Sequence, residues 1–483
     1  MVRGADDDGG GPERSRRRLL RRGLALGVGA LSGCSLFDDP GGDAPTVTPA
    51  PVDDRAGTGT AVGSVAQPGT TTGGTGPRGG TATPRDRRTD RPTATPTPAD
   101  GWRVTQADDA RTGWRPDGTG PADGARPDEA GVGEGGGDSS VEPVWSAGLG
   151  GAVRGSVAVA DGTAYVGSEA GTVAALSAPG PEASAGGARP ADGIAGWTHE
   201  AGAPVRATPT VDGGVVYCGD ESGTVTALDA SDGSERWAFA VAGDRAGPTA
   251  VRSGPVVADG TAWFGATDGR VYAVDTGDGS ERWRFDAGGF LGVVAPVALA
   301  DGRVFAGSYA GRLHAVDADT GAELWHYTGP GGVRTWAGPT VADGVVYGGA
   351  SPGGIAAVDA LDGTERWYRE TGGAVFSSPA VAADTLYVGT DAGALVALDT
   401  ADGSERWRHD ADGAVKSSPA VVGGRVYVGT DGGSVLVLDA ADGSERWRVG
   451  LDGRVTSSPA VVDGRVYVGD GAGTAYALGA AER

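Results

Sequence analysis

Tryptophan sets the frame of this chain. Trp145, Trp197, Trp237, Trp283, Trp325, Trp367, Trp407 and Trp447 follow one another at steps of 40 to 52 residues. Residues 143–478 divide into eight units averaging 42 residues. A unit of that size cannot bury an apolar face alone, so like units must stack or close on one another. The unit at 415–447 reads as four short runs rich in Val, Leu and Tyr, separated by Gly423 and Gly424, by Gly432 and Gly433, and by the Ala-Ala-Asp-Gly turn at 440–443. Asp-Gly pairs at 161, 259, 301, 343 and 463 are hairpin signals, since both residues accept positive φ. No apolar stripe recurs at a helical period. The pattern predicts an all-β fold: an eight-bladed β-propeller of four-stranded antiparallel blades. The last unit lacks the Asp-Gly-Ser-Glu-Arg-Trp strand that ends other units, and the segment around Trp145 supplies a strand of that type. Residues 143–147 are therefore expected to complete the last blade and close the ring, leaving no blade edge exposed.

Each repeated Trp is expected between blades, its indole N–H on a backbone carbonyl; losing one would cost about 3 to 5 kcal/mol. Asp229, Asp275, Asp317, Asp359, Asp399 and Asp439 recur just before turns and read as turn or interblade hydrogen-bonding residues. Spread one to a blade, they do not jointly coordinate a calcium ion.

Before the repeat, Arg14, Arg16, Arg17, Arg18, Arg21 and Arg22 precede a short apolar run at 23–31 and the sequence Leu31-Ser32-Gly33-Cys34. Basic, apolar and small-residue regions in this order make an export signal, and the run is too short for a permanent membrane span. It resembles a twin-arginine signal ending in a lipobox. That resemblance implies a lipidated Cys34 as first residue of the mature chain, and two acyl chains anchor stably where one does not. The domains expected are a signal at 1–33, a lipidated Cys34 with a Thr/Pro/Gly-rich disordered linker at 34–100, a clasp and acidic Gly-rich loop at 101–142, and the propeller at 143–480. The linker holds too little apolar residue to offset the entropy of ordering it.

The repeated Leu-Asp-Ala-x-x-Gly-x-x-x-Trp pattern at 228–237 and 438–447 resembles the PQQ-like, or quinoprotein-dehydrogenase-like, eight-bladed propellers. In that family the dehydrogenases use adjacent cysteines, a calcium ion with Glu and Asn ligands, and a catalytic Asp beside the quinone. This chain has two cysteines, Cys34 and Cys218, and no Asn. The expectation is no cofactor and no metal, with Cys218 a buried strand thiol. The resemblance extends to noncatalytic scaffolds, including the lipoprotein of the outer-membrane β-barrel assembly machinery. Composition resembles that of halophilic archaea: 63 acidic against 40 basic side chains, and Lys416 the sole lysine. Such cells lack that outer-membrane machinery, so the assembly role does not transfer.

A net charge of -23 opposes broad binding to nucleic acid. The residue three places before the proline of each expected inner strand is Arg154, Arg206, Arg252, Val293, Trp336, Phe376, Lys416 or Thr456, with Val157 in the proline place of the first. These variable positions on a regular scaffold should gather at one end of the central channel. Two readings stand: a site for an anionic small ligand or acidic peptide loop, walled by Trp336 and Phe376, or rim residues ion-paired to neighbouring acids.

Nothing else points to catalysis. His199, His314, His326 and His409 hold unrelated positions with no metal-ligand spacing, and His199, His326 and His409 read as outer-strand surface residues. The Ser-Ser-Pro serines repeat and so read as packing or hydrogen-bonding groups, without a nucleophile-elbow context. The function expected is a noncatalytic, lipid-anchored protein-binding or scaffolding propeller on the extracellular face of the membrane, monomeric, with a surface or membrane protein as partner. The alternative is an extracellular quinone-dependent dehydrogenase or a carbohydrate-active enzyme, since 63 acids leave a glycosidase-like carboxylate pair open.

Overall fold

A computed structural model describes residues 141–177, 196–243, 249–289, 292–330, 337–350 and 353–480. The signal, Cys34, the linker, the clasp before residue 141 and Trp336 lie outside the described residues. The described chain forms eight four-stranded antiparallel sheets and contains no helix.

The seventh blade shows why the sequence folds this way. Its strands Ala420–Val422, Arg425–Gly429, Ser434–Asp439 and Glu445–Gly450 pair in chain order. Gly423 and Gly424, at φ +56 and +69, make the two-residue turn between the first two. Five other blades use Asp-Gly there, with Asp161, Asp259, Asp301, Asp343 and Asp463 at φ between +46 and +49. These are the left-handed pairs a tight hairpin needs, and they fall where the Asp-Gly signals stand in the sequence. Val and Leu of the two middle strands are buried on both faces, because each blade packs against a neighbour on either side.

The tryptophans make that packing specific. On the outer strand Trp407 stands opposite the small Ala397 of its own blade, with a register shift immediately beyond. Its Nε1–H donates to the Ala440 carbonyl of the next blade at 3.0 Å. The same arrangement joins Trp197 to Ala230, Trp237 to Thr276, Trp283 to Ala318, Trp325 to Ala360 and Trp367 to Thr400, at 2.8 to 3.2 Å. The indole bond to the next blade is made at six of the eight, and Trp145 and Trp447 share the packing between blades. The turn aspartates also act as expected: Asp399 accepts the Ala401 amide at 2.8 Å and a guanidinium bond from Arg406 at 2.7 Å.

Closure comes from the N-terminal side. Strand Val141–Gly148 pairs antiparallel with Thr474–Ala480 and so forms the outer strand of the eighth blade, with Trp145 opposite Ala477. The strand is slightly longer than the 143–147 expected. Inner strands meet their neighbours at seven of the eight boundaries, the last (Ala460–Val462) touching the first (Ala158–Ala160). A contact of one kind repeats at seven of the eight blade boundaries: a Cβ on Gly389 would strike Val415, one on Gly429 would strike Val455, and one on Gly469 would strike Val153 across the seam.

Candidate functional site

A valine pins the lead-in to the inner strand in six of the blades. The amides of Val153, Val205, Val251, Val415 and Val455 donate to Asp470, Ser168, Asp220, Thr390 and Thr430 carbonyls, all at 2.9 Å. The residue after that valine occupies an equivalent slot in the described blades, at the end of the channel where inner strands begin. Arg154, Arg206, Arg252, Phe376, Lys416 and Thr456 fill it, so the structure gathers the described residues of the expected set at one end. The fourth blade departs from the count by proline spacing. There Val293 is the pinned valine, its amide on the Ala266 carbonyl at 3.0 Å, and the slot residue is Val294. The lead-in from Val293 to Pro296 is one residue shorter than its counterparts, which shifts the register.

Three successive blades build an alternating charge ladder. Arg154 Nε lies 2.8 Å from Glu169 Oε1, and Arg206 Nε lies 2.9 Å from the same oxygen and 3.8 Å from Glu221 Oε1. Arg252 then forks onto Glu221, Nε to Oε1 at 2.8 Å and Nη2 to Oε2 at 2.7 Å. Glu169 and Glu221 follow the end of the second strand by two residues in their blades, and nothing in the sequence alone singled them out. Lys416 donates to Asp431 Oδ2 at 2.6 Å, and Asp431 holds that same loop position in the seventh blade. Burial raises the Asp391 carboxyl one blade earlier, against the pull of Lys416. The ion-paired reading of these rim residues is thus realised for all four cations.

The rim has an apolar side as well. Phe376 packs with Val294, Tyr309 and Ala374 in a cluster separate from the interblade cores, so the expected apolar wall is present at Phe376. Beneath the slot runs a girdle of hydroxyls. The amides of Ser378, Ser418, Ser458 and Ser156 donate in turn to Oγ of Ser418, Ser458 and Ser156 and to Oγ1 of Thr208, at 2.9 to 3.0 Å. Ser377, Ser417 and Ser457 instead bridge both polar groups of Gly389, Gly429 and Gly469. The repeated serines are hydrogen-bonding groups of the scaffold, as their periodicity implies.

Away from the mouth, the fourth blade holds a group that sequence spacing concealed. His314 Nδ1 and His326 Nδ1 each lie 3.0 Å from Glu323 Oε1. The two histidines sit opposite each other on paired strands, so their 12-residue separation carries no periodic signal. Burial lowers the pKa of His314. His199 and His409 are half-buried on outer strands rather than on the surface, and His326 is exposed. Among the described residues no three His, Cys, Asp or Glu side chains are arranged to hold a metal ion.

The donor set that the quinoprotein resemblance implies is not met. Cys218 is buried with its Sγ 3.8 Å from the Thr226 carbonyl, and burial pushes its thiol up to about 12. With no second cysteine beside it and no Asn in the chain, a vicinal disulfide and an Asn ligand have no residues to form them.

The sequence profile of a family described as outer membrane protein assembly factor BamB matches residues 138–287, 267–413 and 401–482. No curated protein matches the sequence. Among solved structures, BamB from Moraxella catarrhalis is 21% identical, with 71% of this chain and 98% of that chain covered at a TM-score of 0.58. The computationally designed Ika8 protein is 19% identical over 69% of this chain and 98% of its own, at a TM-score of 0.57. Quinohemoprotein alcohol dehydrogenase from Comamonas testosteroni is 17% identical over 71% and 77%, also at 0.57. A designed protein, an assembly factor and a dehydrogenase share this fold, so these likenesses establish architecture and leave function to the site.

Proposed function

Because the chain belongs to the outer membrane protein assembly factor BamB family, we propose that it is a noncatalytic propeller, held at the outer face of the cell membrane by a lipid on Cys34, that binds a protein partner. One observation carries this reading. The blades repeat each other closely, yet at the channel mouth the slot carries Arg in the first three blades and then Val, Phe, Lys and Thr, and the loop position facing it changes as well, from Glu169 and Glu221 to Asp431. Side chains that vary at one end of a rigid ring are how a repeat scaffold presents a specific surface. The mouth cations are oriented by carboxylates, which preorganises them for contact.

The barrel-assembly role in the family description is not carried over, for the compositional reason that this chain resembles those of halophilic archaea. The catalytic alternative has less support, because the polar groups of the mouth are engaged with one another in ion pairs and scaffold hydrogen bonds. Among the described residues they do not converge as nucleophile, acid and base.

The test is site-directed photo-crosslinking in native membranes at high salt, followed by intact mass measurement. The photoreactive residue is placed at Arg454, on the exposed connector leading to the Thr456 slot, or at Ala441, in an exposed turn at the opposite end. The expected result is one defined protein adduct from position 454 and none from 441, on a chain whose mass begins at lipidated Cys34. Equal adducts from both positions, no adduct, or a chain carrying a stoichiometric quinone would overturn the reading.

A further inference from the structure

The fourth blade breaks a rule that five others keep. In those five, the arginine seven residues after the turn aspartate folds back onto its carboxylate. Arg236, Arg282, Arg366 and Arg406 reach Asp229, Asp275, Asp359 and Asp399 at 2.6 to 2.8 Å, and Arg446 reaches Asp439. In the fourth blade that place is held by Leu324, which is 46% exposed. Asp317 Oδ1 is taken up by the turn, accepting from the Asp319 and Thr320 amides and the Thr320 hydroxyl. Its Oδ2 has no hydrogen-bond donor and no ion-paired cation among the described residues, and Arg303 acts on it only from longer range.

Leu361 stands beside this gap. It lies in the turn of the fifth blade that covers the Trp325 indole: Trp325 Nε1–H donates to the Ala360 carbonyl at 3.2 Å, and a Cβ on Gly363 would come within 2.8 Å of the ring. Leu324 precedes that Trp on its strand, so the two leucines flank one indole. Leu324 and Leu361, the latter 64% exposed, are the only large apolar side chains exposed among the described residues. The strand is also unguarded. Each outer strand has a paired neighbour on one side only, and such edges are kept from pairing further by charged side chains, proline or shortness. Outer strands at 235–240, 281–286, 365–369, 405–410 and 445–450 each carry Arg, the one at 141–148 carries Pro143, and the one at 198–200 has three residues. Glu323–Thr328 has six residues and no Arg, Lys or Pro.

We propose that the outer strand Glu323–Thr328, with Leu324, Leu361 and Asp317, docks an extended segment of a partner protein that carries an apolar side chain and a Lys or Arg. The open strand edge selects a polypeptide, through main-chain pairing. The leucines receive its apolar residue, and Asp317 receives the cation that five other blades supply from their own strand. The same strand of a second copy would bring no Lys or Arg to Asp317, so pairing of two copies leaves that charge unmet. This site lies at the end of the ring away from the mouth, and it does not rest on the reading of the mouth.

The test is photo-crosslinking of the full chain in native membranes at high salt, with the photoreactive residue at Ala322 or at Ser404, which holds the same exposed place in the sixth blade. Position 322 should give a protein adduct and position 404 none, and the captured segment, read by tandem mass spectrometry, should hold an apolar residue close to a Lys or Arg. Leu324→Arg restores the ion pair of the other blades, so it should melt no lower than the parent while cutting the adduct at least tenfold. Asp317→Asn keeps the Oδ1 acceptor of the turn and should cut the adduct severalfold. If Leu324→Arg fails to fold, Leu324→Ser removes the apolar contact and should cut the adduct severalfold. No adduct from 322, equal adducts from 322 and 404, an adduct with a second copy or with lipid, a captured segment without Lys or Arg, or a Leu324→Arg variant that folds and crosslinks as the parent does would each overturn the assignment. Loss of the adduct at position 454 with this one intact sinks the mouth reading alone, and the converse sinks this one alone.

Discussion

The amide of Ser458 donates to Oγ of Ser156 at 3.0 Å, joining residues 302 apart in sequence. This bond crosses the seam of the ring on its inner side, while the strand Val141–Gly148 crosses it on the outer side. Closure is therefore made twice, by elements of very different strength. Ser156→Ala leaves the Ser458 amide buried without its acceptor and should cost about 1 to 3 kcal/mol, read as a lower denaturation midpoint with an unchanged slope. Deleting residues 141–148 removes a whole strand and exposes the Thr474–Ala480 edge, so cooperative melting should be lost. Deleting 35–100 should leave the midpoint where it was.

Gly403 and Gly423 both hold positive φ, at +70 and +56, but only one of them faces a wall. A Cβ at Gly403 would come within 2.7 Å of Trp367 Cε3, whereas one at Gly423 would meet nothing within 4 Å. Gly423→Ala should cost the backbone term alone, about 1 to 2 kcal/mol. Gly403→Ala adds a collision with a ring that cannot retreat, because its indole is bonded to the Thr400 carbonyl at 2.9 Å. Thermal melting of the two variants should separate them clearly; equal costs would mean that the Trp is not held between the blades.

The tryptophans themselves offer an internal control. Trp407 Nε1 is bonded to Ala440, but Trp447 Nε1 is buried with no partner among the described residues. The next blade provides no turn carbonyl there, because its third strand runs on to Ala480 to receive the N-terminal strand. Trp407→Phe should thus cost about 1 kcal/mol more than Trp447→Phe, which removes an unsatisfied donor. The comparison is one of denaturation midpoints, and a larger loss at Trp447 would contradict it.

Much of this architecture is legible in the sequence because it repeats. Trp spacing marks the blades, Asp-Gly marks the hairpins, and the missing last strand points to Trp145 as its replacement. The mouth is legible only in part. Arg154, Arg206 and Arg252 share one offset from a proline, or from Val157 in the first blade, and so reveal themselves as a set. Their acids, Glu169 and Glu221, do not, because the ladder alternates between neighbouring blades and its register depends on ring curvature. Val294 was hidden by a one-residue shortening that left the proline in place. His314 and His326 meet through strand pairing, which no linear spacing records.

Acid should weaken the outer rim in a defined sense. Arg282, Arg366, Arg406 and Arg446 hold the carboxyls of Asp275, Asp359, Asp399 and Asp439 below the usual carboxylate range, with turn amides adding to the effect. A carboxyl whose folded pKa is depressed contributes stability above its unfolded pKa, near 4, and that contribution is lost as pH falls through the folded value. The melting temperature should hold from pH 7 to about 5 and decline below about 4. Arg406→Gln should melt below the parent at pH 7, and the gap should narrow as pH falls through the depressed folded pKa of Asp399. A gap independent of pH would show that Arg406 acts through packing of its aliphatic stem.

Thiol chemistry tests both ends of the chain at once. Cys218 is buried and its thiol is pushed up to about 12, so at pH 8 it is neutral and enclosed. The native chain should leave Cys218 unlabelled by iodoacetamide, and unfolding should expose it at its ordinary reactivity. The only other cysteine is Cys34, and a thioether-linked lipid would remove its thiol. Chain purified from membranes should therefore take up one label when denatured and none when native. Chain whose export signal has been disabled should take up two when denatured and one when native, since Cys34 then keeps its thiol. Two labels on the denatured membrane-derived chain would refute lipidation at Cys34. Rapid labelling of Cys218 in the native state would refute the packing of the second blade against the first, where Cys218 lies among Tyr165, Val173 and Val205.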